Sequence, residues 1–172
     1  MYDKVYPKRK NHRLQNFEYG AGYSYHAVMN VKKENVFLSK IVEGPDGDGV
    51  VILSDIGKTV DEMIKKADNI YPGVNVDAYA IMPRHIHLLI TIEKDENSDG
   101  RATLNKIVAS IKSFVTKKYG EGIWQRSYYD TVLDNEKSFF AAIDYINANP
   151  VEHINLEKQI KSTEKFKTEE LL

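Results

Sequence analysis

Apolar and polar residues alternate, or β-branched and aromatic residues cluster, in five short segments of the chain. This pattern is typical of β-strands, because successive side chains along a strand point to opposite faces. The glycine-rich run at 44–49 and the Pro83-Arg84 pair indicate tight turns between neighbouring segments. The strands that the pattern predicts are Tyr23–Val31, Val36–Val42, Val50–Leu53, Val74–Met82 and His85–Glu93.

Three other segments repeat apolar residues at the spacing of an amphipathic helix. They predict helices at about 55–70, 103–119 and 136–147. Asn149 precedes Pro150, and the residue before a proline disfavours helical backbone, so Asn149 is expected just past the end of the last helix. The aromatic-rich segment 123–133 predicts irregular structure.

The order of these elements predicts an α+β fold, in which an antiparallel sheet carries its helices mainly on one side. A length of 172 residues suits a single domain with a substantial core. We expect this domain to span residues 1–155, beginning with a basic extended arm at 1–18. A charged C-terminal tail is expected at 156–172.

Composition narrows the possible chemistry. The chain has no cysteine, which excludes disulfides, thiolate metal sites and cysteine nucleophiles. No apolar run approaches the roughly 18 residues needed to span a bilayer, and the polar N-terminus lacks the apolar core of a signal peptide. These features predict a cytoplasmic protein with no membrane partner.

Basic residues are concentrated in two regions, although the formal net charge is only −1. One region is the N-terminal arm and the other is the segment 101–119, which contains no acidic residue. Such surfaces can bind a polyanion, although solvated faces would look the same in the sequence. The candidates for contacts with such a polyanion are Lys8, Arg9, Lys10, Arg13, Arg101, Lys112 and Arg126.

Two histidines separated by one apolar residue open the fifth predicted strand. On a strand, His85 and His87 point to the same face, where two imidazoles can hold one divalent metal ion. The spacing alone is a weak signal, because two solvated histidines would give the same pattern. The amide of Asn149 is a possible third ligand, and a His–His–amide set suits Mg²⁺ or Mn²⁺ better than structural zinc.

Tyr145 lies four residues before Asn149, so the two side chains share one helix face. A tyrosine beside a metal suggests covalent attack on a phosphodiester, although a phenol is largely protonated at neutral pH and needs help from a metal or a base. Tyr128 and Tyr129 compete for the role of nucleophile, but their aromatic-rich surroundings suit base stacking or packing better. His12, His26 and His153 receive no role.

The combination of motifs resembles the IS200-like family of single-tyrosine, HUH-type transposases, and most closely its REP-associated branch. The resemblance implies a ferredoxin-like, RRM-like core and cleavage of single-stranded hairpin DNA through a 5′-phosphotyrosine intermediate. By position it implies metal binding by His85, His87 and Asn149, with Tyr145 as the nucleophile. The matching segments are Pro7–Leu14, Tyr79–Ile90, Ile111–Phe114, Ile123–Asp130 and Tyr145–Val151.

One position departs from the family pattern, which more often has asparagine or an acid where this chain has Arg84. That cation is a further candidate for a phosphate contact, or it weakens metal binding by repulsion. Two other functions stay open: a non-catalytic single-stranded nucleic-acid-binding module, and a metal-dependent hydrolase of small phosphoesters in which water attacks. The protein is expected to act as a monomer or a homodimer.

Overall fold

The computed structural model describes residues 22–94, 102–120 and 122–169, with side chains described as far as residue 162. Within these ranges the chain forms six strands and four helices. The strands are β1 (Tyr23–Asn30), β2 (Ser39–Glu43), β3 (Gly49–Leu53), β4 (Val74–Ile81), β5 (His85–Ile92) and β6 (Tyr129–Leu133). The helices are α1 (Asp55–Lys65), α2 (Ala67–Ile70), α3 (Leu104–Tyr119) and α4 (Glu136–Glu169).

Four strands form one antiparallel sheet in the order β4-β5-β1-β6, and β2 and β3 form a separate hairpin. Leaving out that hairpin, the short α2 and the final helix α4, the chain follows the β-α-β-β-α-β sequence of a ferredoxin-like fold. The α+β class predicted from the sequence is confirmed. The central strands β1 and β5 pair in a register that sets Val28 opposite His87 and Asn30 opposite His85.

One face of the sheet packs against α1 and α3. Alternate residues of β1 and β5 point into this core, and apolar residues at helical spacing face them. Side-chain oxygens of Ser54 and Thr103 accept hydrogen bonds from backbone N–H groups at the starts of the two helices. The largest fully buried contributors include Tyr25, Met29, Ile64, Ile86, Leu88, Ile90 and Ile107.

The opposite face of β4 and β5 packs against α4 and the β2–β3 hairpin. A second apolar cluster joins them and contains Ile41, Ala80, Met82, Leu89, Ala142, Ile146 and Ile154. The helices therefore lie mainly on one side of the sheet, as predicted, and α4 is the exception. This cluster fixes α4 beside the first residues of β5.

The predicted end of the last helix near Asn147 was wrong. Helix α4 continues through Pro150, so Asn149 lies inside it and not past its end. Pro150 removes one backbone hydrogen bond, but the later turns bury Ile154, and Lys158 donates a 2.5 Å hydrogen bond to Glu43 of β2. Tertiary packing therefore outweighs the local signal. The helix passes residue 156 without a break, while the domain boundary placed there stays a prediction.

The prediction of irregular structure at 123–133 was wrong for its second half. Tyr129–Leu133 form β6, which pairs with β1 through five residue pairs at the edge of the sheet. The strand is short, and its own side chains show no clean alternation of buried and exposed positions. Pairing with β1 defines it. In the described part of the chain, no helix is both long enough and apolar enough to cross a bilayer.

Candidate active site

Strand β5 presents the two histidines on the face that α4 covers. Ile86 and Leu88 point into the core on the other face, so strand alternation directs His85 and His87 together towards α4. Their Nε2 atoms lie 3.0 Å apart, and the two rings are nearly perpendicular at 86°. The predicted shared face is observed, and the two imidazoles converge through the same ring atom.

Strand β1 adds a third histidine to this group. His26 Nε2 lies 3.0 Å from His87 Nδ1, and the ring centroids are 5.2 Å apart. His87 thus uses one ring nitrogen towards His26 and the other towards His85. Sequence reasoning gave His26 no role. The alternation of side chains along β1 could have predicted that His26 lies on the outer face of the sheet. Its contact with His87 follows only from the register in which β1 pairs with β5.

Helix α4 supplies the tyrosine and the amide. The Tyr145 ring centroid lies 5.4 Å from that of His87 and 6.0 Å from that of His26. Tyr145 keeps 47% of its surface exposed, whereas Asn149 is buried. The Asn149 Nδ2 atom donates a 2.6 Å hydrogen bond to the Tyr145 carbonyl oxygen. The four residues predicted as a site therefore lie together.

His153, which also received no role, lies two turns after Tyr145 on α4. Its Nε2 atom is 3.3 Å from Glu157 Oε1. Residues 145, 149, 153 and 157 are spaced by four and so follow one face of the helix. The helix face that carries the candidate nucleophile therefore continues beyond the histidine cluster.

Burial keeps the cluster neutral. Loss of solvent lowers the pKa of His26 and of His85, and the nearby His153 charge lowers that of His85 further. Burial, followed by the neighbouring His85 and His26 charges, lowers the pKa of His87 to about 3, and a hydrogen bond with Asn149 opposes this shift. The three imidazoles are neutral at pH 7, and neutral imidazole is the form that ligates metals.

The geometry of this cluster fits a divalent metal ion held by two histidines. With metal–nitrogen bonds of about 2.0–2.1 Å, adjacent ligands at right angles stand about 2.9 Å apart, close to the 3.0 Å between the two Nε2 atoms. His26 faces the other nitrogen of His87 and does not point to the same ion. In the described ranges, no cluster of three or more His, Asp or Glu side chains is arranged to hold a metal. Two imidazoles and an amide would leave positions open for substrate oxygens.

The basic residues predicted to contact phosphate have different surroundings in the structure. Arg84 donates to the Glu34 carbonyl oxygen and its guanidinium carbon lies 5.5 Å from the centre of the Phe37 ring. Lys112 donates to the carbonyl oxygens of Gln125 and Ser127, at 3.0 and 3.1 Å, and so anchors that loop. Arg126 is exposed. The remaining candidates, Lys8, Arg9, Lys10, Arg13 and Arg101, lie outside the described residues.

The competing tyrosines lie elsewhere. Tyr128 donates a 2.6 Å hydrogen bond to the side-chain oxygen of Asn105 and packs against the main core. Tyr129 is 39% exposed on the edge strand β6. The ring of Tyr145, in contrast, contacts the rings of His26 and His87.

The buried histidines predict a pH-dependent stability. Because the pKa of His87 is lower in the folded protein than its ordinary value of about 6.5, the unfolded chain takes up the proton first. The free energy of unfolding should therefore fall as pH drops below 6.5, by up to about 1.4 kcal/mol per pH unit for each such histidine. Urea unfolding at pH 7.5, 6 and 5 with EDTA would measure this. His87→Gln should flatten the slope, and equal slopes would contradict the argument.

Comparison with known proteins identifies relatives at modest identity. No family model matches the chain. An uncharacterized protein of Haemophilus influenzae is 26% identical over 166 residues, covering 83% of this chain and 88% of that protein. The REP-associated tyrosine transposase of Escherichia coli is 30% identical over 80 residues, which is 45% of each chain. The chain thus spans about half the length of that named relative.

A solved structure shares the fold. It is described as a REP-associated tyrosine transposase bound to a REP hairpin, and it matches with a TM-score of 0.60 at 20% identity. The match covers 84% of this chain and 74% of that one. The similarity in sequence to the Escherichia coli transposase, over 80 residues, bears out the resemblance, and the solved structure confirms the fold.

Proposed function

We propose that this protein is a metal-dependent endonuclease and strand transferase that acts on single-stranded hairpin DNA through a 5′-phosphotyrosine intermediate. The observation that carries the proposal is the contact between the Tyr145 ring and the His87 ring, whose Nε2 atom faces that of His85. A nucleophile and two neutral imidazoles thus lie within one small site. Homology to REP-associated tyrosine transposases supports the same substrate class.

The chemical step uses the Tyr145 hydroxyl. Its oxygen forms a bond to the phosphorus of a DNA phosphodiester, and the bond from phosphorus to the 3′-oxygen breaks. The phenol proton passes to solvent, to which this half-exposed side chain is open, and the departing oxygen takes up a proton to become a free 3′-hydroxyl. The reverse reaction with another 3′-hydroxyl rejoins strands and releases the tyrosine.

In this proposal His85 and His87 would hold a Mg²⁺ or Mn²⁺ ion, with Asn149 completing the set. The bound ion would supply Lewis-acid stabilisation for the phosphoryl group and for charge on the leaving oxygen. Asn149 has a second task, because its hydrogen bond to the Tyr145 carbonyl ties the amide to the turn that carries the nucleophile. We assign this activity to a single domain at 1–155, acting in the cytoplasm as a monomer or a homodimer.

His26 would set the tautomer of His87. If His87 Nδ1 carries the proton and donates it to His26 Nε2, the His87 Nε2 lone pair is free for a metal. We expect His26→Phe to weaken Mn²⁺ binding by about 10- to 100-fold, as loss of an outer hydrogen bond does at other metal sites. Isothermal titration of Mn²⁺ into both proteins measures this. His26→Gln, which can keep an acceptor, should lose less, and equal affinities would contradict the role.

A denaturing gel tests the proposal as a whole. Wild-type protein is incubated with Mn²⁺ and labelled hairpin oligonucleotides taken from the flanks of its own gene, and a covalent protein–DNA band is expected. Binding to confirmed cognate DNA without any adduct would favour a non-catalytic binding module. Cleavage without an adduct would favour water as the nucleophile.

A further inference from the structure

A groove of about 550 Å³ lies beside the candidate active site, between β2, the turn that precedes β5, and the middle of α4. Its volume falls in the range of natural ligand sites, about 300–1,000 Å³. We call it the Phe37 groove. The residues that matter for its chemistry are Phe37, Lys40, Ile41, Arg84, His153 and Glu157.

The wall of the Phe37 groove offers an aromatic face next to a cation. Phe37 keeps 54% of its surface exposed. The Arg84 guanidinium lies 5.5 Å from its ring centre and also donates to the Glu34 carbonyl oxygen, so both groups are held in place. An aromatic ring that is fixed and open suits the stacking of a nucleic-acid base.

The charges of the groove suit a nucleotide. Lys40 and Arg84 bring two positive charges to the wall near Phe37. On the α4 side, the single carboxylate of Glu157 is already engaged by His153 at 3.3 Å and Lys161 at 3.8 Å. A phosphate would therefore meet positive potential at one wall while a base meets the aromatic ring.

The groove and the candidate active site are built on the same two elements, the turn that opens β5 and helix α4. Arg84 immediately precedes His85 in the turn that opens β5. His153 follows Tyr145 and Asn149 at intervals of four residues on one face of α4. The groove therefore lies next to the candidate active site, where a strand whose phosphodiester is at Tyr145 would place a neighbouring nucleotide.

We propose that the Phe37 groove binds one unpaired nucleotide of the substrate strand next to the bond that is cut. The base stacks on Phe37, and the phosphate contacts Arg84 and Lys40. The proposal rests on the proposed function, since it names a subsite for the same single-stranded DNA. It also gives Arg84 a function in the position where the sequence departs from the family pattern.

The test measures DNA binding by fluorescence anisotropy with two probes, a fluorescein-labelled dT20 strand and a hairpin with a single-stranded flank from the protein's own gene. Phe37→Ala should bind about 5- to 100-fold more weakly, the effect expected for loss of one stacked base. Phe37→Trp should retain affinity, and its added tryptophan fluorescence should be quenched when DNA stacks on it. Phe140→Ala, which removes another exposed phenylalanine on α4, is the matched control.

The outcomes separate the two proposals. If wild type binds the probes and Phe37→Ala equals Phe140→Ala within twofold, the groove is not a nucleotide subsite, while the proposed function stands. Unquenched fluorescence of Phe37→Trp at saturating DNA would overturn the stacking arrangement in the same way. If the wild-type protein binds neither probe, both the proposed function and the proposed subsite are wrong. Urea unfolding of each variant checks that its fold is retained.

Discussion

Tyr145→Phe is expected to form no covalent adduct with DNA and to bind hairpin oligonucleotides with unchanged affinity. The substitution removes one oxygen and keeps the ring that contacts His87 and His26. Because no other atom replaces the attacking oxygen, cleavage should fall at least about a thousandfold, as it does when other enzymes lose their nucleophile. The measurement is a denaturing gel for the adduct alongside anisotropy for binding.

The other tyrosines provide matched controls for that experiment. Tyr129→Phe changes an exposed edge-strand residue, and Tyr128→Phe removes a hydrogen bond to Asn105 in the first turn of α3. Both variants should form the adduct at the wild-type rate within a few fold. If Tyr145→Phe still forms the adduct, or if Tyr129→Phe loses it, then Tyr145 is not the nucleophile proposed here and another residue attacks the DNA.

Local periodicity predicted the parts of this site that depend on a single element. Strand alternation was enough to put His85 and His87 on one face, since Ile86 between them points into the core. A spacing of four put Tyr145 and Asn149 on one helix face. These arguments need no knowledge of how elements pair.

The parts that failed depend on contacts between elements distant in the chain. His26 reaches His87 only because β1 and β5 are neighbours in one register, and a shift of one residue would turn it to the other face. Helix α4 continues through Pro150 because Ile154 and Lys158 find partners on the β2–β3 hairpin. Neither partner is near in sequence. Local preference therefore gave the wrong helix end and missed the third histidine.

The contacts of a basic residue depend on what the fold brings to it. Lys112, predicted to contact phosphate, donates hydrogen bonds to two carbonyl oxygens of the loop before β6, and its phosphate contact stays a prediction. Arg84 looked like a departure from a family pattern, yet it lies against an aromatic ring in a groove beside the site. A cation's function is set by the acceptors that folding brings to it, and a count of lysines and arginines carries none of that information.

Removing the metal ion, or one of the two histidines proposed to bind it, should abolish both the stabilisation by Mn²⁺ and the covalent adduct with DNA. Saturating Mn²⁺, at about one hundred times its dissociation constant, should stabilise the wild type by about 2.7 kcal/mol. His85→Ala removes one of the two Nε2 atoms that face each other at 3.0 Å. We expect this variant to show no stabilisation by Mn²⁺ and no covalent adduct. Excess EDTA should abolish the adduct of the wild type as well.

Comparison with Tyr145→Phe separates metal binding from chemistry, because that variant keeps both imidazoles and the Asn149 amide. It should retain the full stabilisation by Mn²⁺ and yet form no adduct, whereas His85→Ala should lose both. Thermal or urea unfolding with and without Mn²⁺ provides the first readout, independent of any DNA. If His85→Ala is stabilised by Mn²⁺ as strongly as the wild type, the ion binds elsewhere and the two histidines are not its ligands. If Tyr145→Phe loses the stabilisation, the tyrosine itself takes part in holding the metal.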